Sequence, residues 1–303
     1  MNQQPAKAVM MIRPASFGYN PQTASSNAFQ ELPPEDAQLA KRAVHEFDAF
    51  VETLRNERIG TIVIDDEPHP PKPDAVFCNN WVSFHPGGTM ILYPMMAPNR
   101  RLERRKDIAE KIAAAGFEIK RIIDYSGYEK EGKYLESTGS MTFDYENGAI
   151  YASLSPRTHP GLLAIVSRDL NMELVVFNAV DRDGRPIYHT NVVMTIGAGF
   201  AVICAEAIRD AGERKTALDR LEKTNHEIVA IDYAQLYAFA GNMLQAVNRD
   251  GEKLLVMSET AYRSLNAGQV RTLEKYNRIV KAAVPTIETF GGGSVRCMMA
   301  NIQ

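Results

Sequence analysis

Cysteine is scarce in this sequence, and charge of neither sign dominates. The three cysteines among 303 residues, Cys78, Cys204 and Cys297, are irregularly spaced. Such a small and irregular set does not fit a disulfide framework or a zinc site, so we expect a reduced intracellular setting. The formal net charge of −3 gives no electrostatic reason to expect a nucleic acid or an anionic membrane as a partner.

Long apolar runs and nucleotide-binding motifs are also missing. No window reaches the roughly 18 uninterrupted apolar residues that a membrane-spanning helix needs, and the first twenty residues lack the apolar core of a signal peptide. No glycine-rich phosphate motif follows a strand pattern. We therefore expect a cytoplasmic protein that needs no cofactor and no metal.

The sequence does contain alternating strand and helix patterns. Residues 8–12 and 61–64 are β-branched or apolar runs typical of strands, and apolar residues recur at helical spacing from Pro34 to Arg58. Further patterns predict a helix over 102–115, strands over 117–123, 174–179 and 187–196, and helices over 214–223 and 260–266. The whole pattern predicts one α/β domain over residues 1–303. Periodicity does not distinguish a closed ring from an open doubly wound sheet.

Cys297 lies four residues after three consecutive glycines, in GGGSVRCMM. Glycines let a backbone turn sharply and approach a ligand closely, and the neighbouring Arg296 would stabilise a thiolate if it faced the same side. From these residues alone, a buried structural thiol explains the pattern slightly better than a nucleophile does. Cys78 and Cys204 lie in apolar segments, and we expect both to be buried structural thiols.

A nucleophilic thiol needs a proton acceptor, and histidine is the usual one. We expect His189 to begin an apolar strand directly after a hairpin, where sites of α/β folds gather; a strand-edge histidine bonded to the backbone is an equally good explanation. His45 and His226 lie in polar stretches typical of solvated helix faces. Glu136, just before the turn-forming STGS, either caps a turn or binds a cation through its two oxygens.

Seven motifs distributed along the chain carry a family resemblance. In chain order they are IRPASFGYN, FCNNW, LESTGS, SPRT, YHTNVVMTIG, GNML and GGGSVRCMM. Together they resemble the guanidino-group-modifying superfamily of arginine deiminases, dimethylarginine dimethylaminohydrolases, succinylarginine dihydrolases and amidinotransferases. The chain is most similar to the arginine-deiminase-related citrulline-utilisation hydrolases. The resemblance implies a five-bladed α/β propeller (pentein) built of ββαβ-type units.

The resemblance also implies a covalent mechanism. Cys297 would attack the guanidinium carbon, and His189 would protonate the departing ammonia and then activate the water that hydrolyses a thiouronium-type intermediate. Glu136 would hold the guanidinium nitrogens and orient His189. Arg157, in SPRT, would bind the substrate α-carboxylate. Asn242, in GNML, matches a site position that is either functional or only structural.

Three departures from the arginine deiminases bear on the substrate. Asn80 and Asn191 stand where arginine deiminases carry aspartates, and neutral amides fit a ureido group, because they both donate and accept hydrogen bonds. Succinylarginine dihydrolases also have asparagine at the first place, which favours hydrolysis of arginine or citrulline through to ornithine. Asp74 replaces a deiminase asparagine that helps bind the α-carboxylate. Because an aspartate would repel a carboxylate, the sequence does not indicate which group the substrate carries at its amino-acid end.

Two alternatives remain at this stage. An amidinotransferase would use the same cysteine, histidine and acid to pass the amidino group to an amine. A non-catalytic propeller that serves as a binding module would have these side chains on distant surfaces. The sequence leaves open whether the chain forms a homo-oligomer.

Overall fold

The computed structural model describes residues 3–303, which form five three-stranded sheets. The strands are β1 (Ala8–Arg13), β2 (Gly60–Asp65), β3 (Val82–His85), β4 (Thr89–Leu92), β5 (Arg121–Asp124), β6 (Thr142–Asp144), β7 (Ala149–Ser153), β8 (Glu173–Phe177), β9 (Met194–Gly197), β10 (Phe200–Ile203), β11 (Glu227–Ala230), β12 (Leu244–Val247), β13 (Lys253–Ser258), β14 (Arg278–Ala282) and β15 (Ala300–Ile302).

Helices connect and cover these sheets. The α-helices are α1 (Pro21–Ala24), α2 (Leu39–Asn56), α3 (Ile108–Ala114), α4 (Ser137–Ser140), α5 (Pro160–Leu170), α6 (Thr190–Val193), α7 (Ala211–Lys223), α8 (Tyr233–Tyr237), α9 (Glu259–Ser264), α10 (Ala267–Glu274) and α11 (Pro285–Gly291). Short 3₁₀ helices cover Cys78–Asn80, Pro98–Glu103, Ser126–Glu131 and Ala205–Ala207.

All five sheets share one pairing pattern. The middle strand β4 pairs antiparallel with β3 and parallel with β5, and β7, β10 and β13 repeat this arrangement with their neighbours. A parallel pair needs a crossover connection, and a helix provides it in each sheet, such as α5 between β7 and β8. These are the predicted ββαβ-type units.

The first sheet closes the ring, because its inner strand comes from the C-terminal end of the chain. β15 pairs antiparallel with β1, with Ala8 opposite Ile302 and Met10 opposite Ala300. The inner strands pack side by side around the axis, β15 against β3, β6 against β9 and β9 against β12. The predicted five-bladed propeller is confirmed, and the open doubly wound sheet is excluded.

Helix α2 has the apolar spacing that the sequence shows between Pro34 and Arg58. Its buried residues recur every three or four positions and form one face (Leu39, Ala43, Phe47, Phe50, Val51, Leu54). Each large apolar side chain of this kind contributes about 1.5–3 kcal/mol when it leaves water. The helix forms because this face packs into the core of the first blade.

Three local predictions were wrong. The helix predicted over 102–115 is interrupted, because residues 98–103 form a 3₁₀ helix and α3 begins only at Ile108. The strand predicted over 187–196 begins only at Met194, because residues 190–193 form a short helix. The hydroxyl of Thr190, the first residue of this helix, donates to the carbonyl of Ser140 at 2.6 Å. His226 is buried rather than solvated, and its ring bonds Thr224 Oγ1 at 2.9 Å.

Within residues 3–303, no helix combines the length and the apolar character needed to cross a membrane. Over the same range, no three His, Cys, Asp or Glu side chains are grouped so that they could hold a metal ion.

Candidate active site

Each blade contributes a turn just before its inner strand, and all predicted site residues except Asp74 and Arg157 lie on these turns. Residues 78–80 precede β3, 136–140 precede β6, and 189–193 precede β9. Asn242 precedes β12, and Cys297 precedes β15. Because the five blades repeat around one axis, equivalent turns meet at the same end of the ring. Residues that are far apart in the sequence are thereby brought together.

The turns that carry Asn80, His189 and Cys297 line a small buried pocket of about 10 Å³, roughly the room that one water molecule needs. Its lining residues are Thr23, Asn27, Asp74, Phe77, Asn80, Arg100, Arg157, Tyr188, His189, Gly291, Gly292, Gly293 and Cys297. Cys297 is only 3% exposed and His189 only 1%. Both side chains are therefore shielded from bulk water.

Two asparagine amides surround the Cys297 sulfur. Asn242 Nδ2 lies 3.3 Å from Sγ and Asn191 Nδ2 lies 3.5 Å from it. Asn242 is itself fixed, because its Oδ1 accepts from the Arg296 backbone N–H at 3.1 Å. The Arg296 guanidinium turns away from the pocket and donates to the carbonyl of Met299 at 2.7 Å. Asparagine N–H groups, rather than arginine, are thus placed to stabilise negative charge on the sulfur.

His189 and Glu136 form a buried hydrogen-bonded pair, with 2.9 Å between Nε2 and Oε2. Burial raises the pKa of Glu136, but Arg157, His189 and Arg100 outweigh it and lower that pKa to about 2. Burial lowers the pKa of His189 to about 4, even though Glu136 opposes this change. At neutral pH the carboxylate is charged and the imidazole is neutral, so His189 can accept a proton.

Gly139 allows two site residues to approach each other. A Cβ at this position would lie 2.6 Å from Asn80 Nδ2 and 2.7 Å from His189 Nδ1. Both distances are too short for any side chain, so position 139 requires glycine. The motif LESTGS contains this residue, but the sequence alone gives no sign of the close approach.

Arg100 is a second residue that the sequence did not single out. It is buried within the pocket wall, where it donates to Asn80 Oδ1 at 2.8 Å and to both oxygens of Glu103. Burial raises the pKa of Glu103 to about 7, against the opposing effect of Arg100. Arg100 lies in the basic stretch NRRLERRK, in which nothing marks one arginine as buried.

Asp74 lines the pocket with one carboxylate oxygen unsatisfied. Oδ2 accepts from Asn20 Nδ2 at 2.8 Å and from Thr23 Oγ1 at 3.2 Å, whereas Oδ1 has no hydrogen-bond partner. Burial raises the pKa of Asp74, and the charge of Arg100 partly offsets this. An unsatisfied buried oxygen is costly, so a donor from a ligand would stabilise it.

Residues 20–30, here called the covering segment, close the pocket. Arg157 holds them through Ser26 Oγ, at 2.7 Å from Nη2, and the carbonyl of Thr23, at 3.0 Å. Asn27 Nδ2 donates to the carbonyl of Gly292 at 3.1 Å. Gly292 has φ +65, and a Cβ there would lie 2.6 Å from Asn27 Nδ2. Glycine thus permits the covering segment to lie against the turn that leads to the cysteine.

Residues 13–303 match the model of a protein family, which is described as N,N dimethylarginine dimethylhydrolase, eukaryotic. The chain belongs to this family. No curated protein matches the sequence.

The structure is similar to solved structures of low sequence identity. The substrate-bound N-terminal domain of ArgZ, an arginine dihydrolase from the ornithine-ammonia cycle in cyanobacteria, gives a TM-score of 0.71 at 16% identity, with 98% of each chain covered. The dimethylarginine dimethylaminohydrolase DDAH of Pseudomonas aeruginosa, complexed with citrulline, gives 0.64 at 16% identity, with 98% of this chain and 100% of that chain covered.

Unliganded AgrE gives a TM-score of 0.75 at 16% identity, with 98% of this chain and 39% of that chain covered. The chain likewise spans only 40% of the longer ArgZ chain. At these identities the structural likeness establishes the fold.

Family membership confirms the predicted guanidino-modifying superfamily and the predicted hydrolase class acting on carbon–nitrogen bonds. The structure brings the predicted site residues together. Cys297, His189, Asn80, Asp74 and Arg157 line the pocket. Glu136 does not line the pocket but bonds His189. Asn191 and Asn242 contact the Cys297 sulfur. Their individual roles stay predictions.

Proposed function

We propose that this protein hydrolyses the guanidino or ureido C–N bond of arginine, citrulline or a related compound, with Cys297 as the nucleophile. The observation that carries the proposal is one buried pocket that is lined by both Cys297 and a neutral His189, itself fixed by a charged Glu136 at 2.9 Å. The relatives ArgZ and DDAH, whose structures contain substrate and citrulline respectively, support this assignment.

The first half of the reaction forms a covalent intermediate. The Cys297 thiol gives its proton to His189, and the sulfur attacks the guanidinium carbon. The imidazolium then protonates the departing nitrogen, ammonia leaves, and an S-alkyl thiouronium remains on the sulfur. Glu136 stabilises the imidazolium, and Asn191 and Asn242 stabilise the thiolate that attacks.

In the second half, His189 acts as a base toward water. Neutral His189 takes a proton from water as the oxygen attacks the thiouronium carbon. The C–S bond then breaks, His189 returns its proton to the Cys297 sulfur, and the oxygen gives its remaining proton to solvent as the ureido product leaves. The same groups can attack the ureido carbon in a further round, which would release ammonia and carbon dioxide and give ornithine.

Asp74 and Arg157 would hold the other end of the substrate. The unsatisfied Oδ1 of Asp74 would accept from the α-ammonium group that arginine and citrulline both carry. Arg157 already donates to Ser26 and Thr23, so an α-carboxylate would replace Ser26 as its partner when the covering segment opens. The cytoplasmic setting remains a prediction, and the oligomeric state remains open.

Product analysis tests the proposal directly. The protein is incubated with arginine, citrulline and N-methylated arginines, and the products are identified by mass. We expect ammonia together with citrulline or ornithine from the wild type, and no product from Cys297→Ala or Cys297→Ser with an unchanged circular dichroism spectrum. Full activity in either variant, or no turnover of any of these compounds, would contradict the proposal.

The burial of Cys297 gives one observation in favour of transfer to an amine. Cys297 is 3% exposed, and shielding from water protects a thiouronium from hydrolysis. The same assay with a primary amine acceptor such as glycine distinguishes the two reactions. A product with the amidino group on the acceptor would establish transfer, whereas oxygen from labelled water in the ureido product would establish hydrolysis.

A further inference from the structure

A second cavity, here called the axial cavity, lies among the inner strands of the propeller. Its volume is about 40 Å³, and it shares no lining residue with the active-site pocket. The strands β6, β9, β12 and β15 all contribute to its wall, and so does Arg296. Because one water molecule needs roughly 10–15 Å³, this cavity has room for a small ion.

Arg296 is a buried cation without a counter-ion. It is 8% exposed, and among residues 3–303 no aspartate or glutamate lines the axial cavity. Burial lowers the pKa of the guanidinium, and the groups that oppose this effect are Cys297, Tyr145 and Cys78 rather than any carboxylate. A buried charge is costly unless it is paired. The wall of the axial cavity therefore carries an uncompensated positive charge.

The hydrogen bonds of Arg296 leave most of its donors unused. Nη1 donates to the carbonyl of Met299 at 2.7 Å, and Nη2 donates to Asn301 Oδ1 at 2.9 Å. A guanidinium carries five N–H groups, so three remain, and within residues 3–303 none of these three has an acceptor. Both existing acceptors are neutral, so they satisfy two N–H groups but do not offset the charge.

The amide oxygens in the wall are already engaged with other donors. Gln4 Oε1 accepts from the Tyr145 backbone N–H at 2.7 Å, and Gln245 Oε1 accepts from the Ala198 backbone N–H at 2.8 Å. Turning either oxygen toward the guanidinium would leave a buried backbone N–H without a partner, which is costly. These amides therefore do not solvate the cation.

We propose that the axial cavity binds a small inorganic anion of the size of chloride, with Arg296 as its counter-ion. The anion accepts from the unused N–H groups of the guanidinium, and its charge offsets the buried cation. The ion also stabilises the closed ring, because Arg296 holds Asn301 of β15. This site is independent of the proposed reaction, in which the Arg296 side chain takes no part.

Thermal unfolding of the intact protein in two salts tests the proposal. Chloride replaces gluconate at constant ionic strength, because gluconate is too large for a cavity of about 40 Å³. An ion that binds only the folded state stabilises it by mass action. We expect Tm to rise by about 2 °C for each tenfold increase in chloride above the dissociation constant.

Three variants assign this effect to Arg296. Asn301→Asp keeps the shape of the side chain and gives the guanidinium a built-in carboxylate partner, so we expect the chloride dependence to disappear. Arg296→Met removes the cation and should abolish the dependence as well. Arg220→Met is the matched control, because this arginine pairs with Glu173 at 2.8 Å and lies outside the axial cavity. It should respond to chloride as the wild type does.

Bromide in crystals of the wild type gives a direct readout that needs no variant. We expect an anomalous scattering peak within hydrogen-bonding distance of the Arg296 guanidinium. Absence of this peak at a bromide concentration that raises Tm would overturn the proposal. The same holds if chloride changes Tm equally in the wild type and in Asn301→Asp, because the anion then acts elsewhere. Loss or retention of turnover does not enter this test, so its failure leaves the proposed function untouched.

Discussion

At the scale of single residues, the chemistry depends on how burial divides charge between His189 and Glu136. Burial alone would favour the neutral form of both groups. The neighbouring arginines keep Glu136 ionised, and their positive charge also opposes a proton on His189. His189 is therefore already deprotonated at neutral pH, which suits the proposed proton transfer from the Cys297 thiol.

The low pKa of His189 predicts the acid side of the activity profile. With a pKa of about 4 instead of the usual 6.5 of a histidine, the imidazole of the free protein stays neutral well below pH 6. We expect kcat/KM for arginine to stay nearly constant between pH 7 and 5. A fall with an apparent pKa near 6.5 would show that His189 is solvated and contradict the structure.

The same residue links stability to pH. The folded-state pKa of His189 is lowered, so the unfolded chain binds the proton first as pH falls. The contribution of neutral His189 to the free energy of unfolding is complete above pH 6.5 and is lost as pH falls toward 4. Glu136 adds a further loss between about pH 4.5 and 2.

Asp74 is the residue expected to recognise the substrate's ammonium group. Asp74→Asn keeps the shape but removes the charge, so we expect KM for arginine to rise roughly tenfold or more, the effect of losing a charged hydrogen bond, with little change in kcat. Steady-state kinetics with arginine and Nα-acetylarginine checks this. If the wild type handles both compounds equally well, Asp74 does not bind the ammonium group.

At the scale of elements, the short turn that contains Gly139 sets the distance between Asn80 and His189. Gly139→Ala would force these side chains apart, so we expect kcat to fall at least 100-fold, because small displacements of reacting groups are that costly. Gly127→Ala is the matched control, since a Cβ at Gly127 meets no atom within 4 Å. Kinetics and thermal unfolding of both variants check the prediction. Full activity in Gly139→Ala would show that position 139 tolerates a side chain.

The sequence predicted regular elements better than irregular ones. The α2 helix followed from its apolar spacing, because one face of a long helix repeats reliably in sequence. The short helix that begins at Thr190 did not, because a hydroxyl bond to the distant Ser140 holds it. The interruption of the helix predicted over 102–115 likewise depends on tertiary packing. A local sequence pattern does not indicate such tertiary contacts.

The site residues likewise fall into those that the sequence indicates and those that it does not. Cys297, His189 and Glu136 could be predicted because their motifs resemble those of a family. Arg100 and Gly139 were missed, because their roles consist of distances to Asn80 that exist only in the folded chain. A buried arginine and a solvated one look alike in a basic stretch.

At the scale of the whole molecule, the site depends on ring closure. Ile302 is 3% exposed on β15 and pairs opposite Ala8, and Cys297 lies just before this strand. Ile302→Ala should cost about 2–5 kcal/mol of unfolding free energy. We expect the urea midpoints of activity and of circular dichroism to fall together. Activity lost at clearly lower urea than the circular dichroism signal would show that β15 detaches while the ring persists.

Under the proposed mechanism, closure of the propeller by β15 also determines when during folding the site becomes complete. The strand that positions Cys297 pairs with a strand almost 300 residues earlier, and contacts this far apart in sequence form slowly. Until they form, the sulfur lacks its asparagine donors and the histidine that we propose as the acceptor of its proton. A partly folded chain therefore lacks the surroundings of Cys297 that the proposed reaction needs, and these surroundings exist only in the fully closed ring.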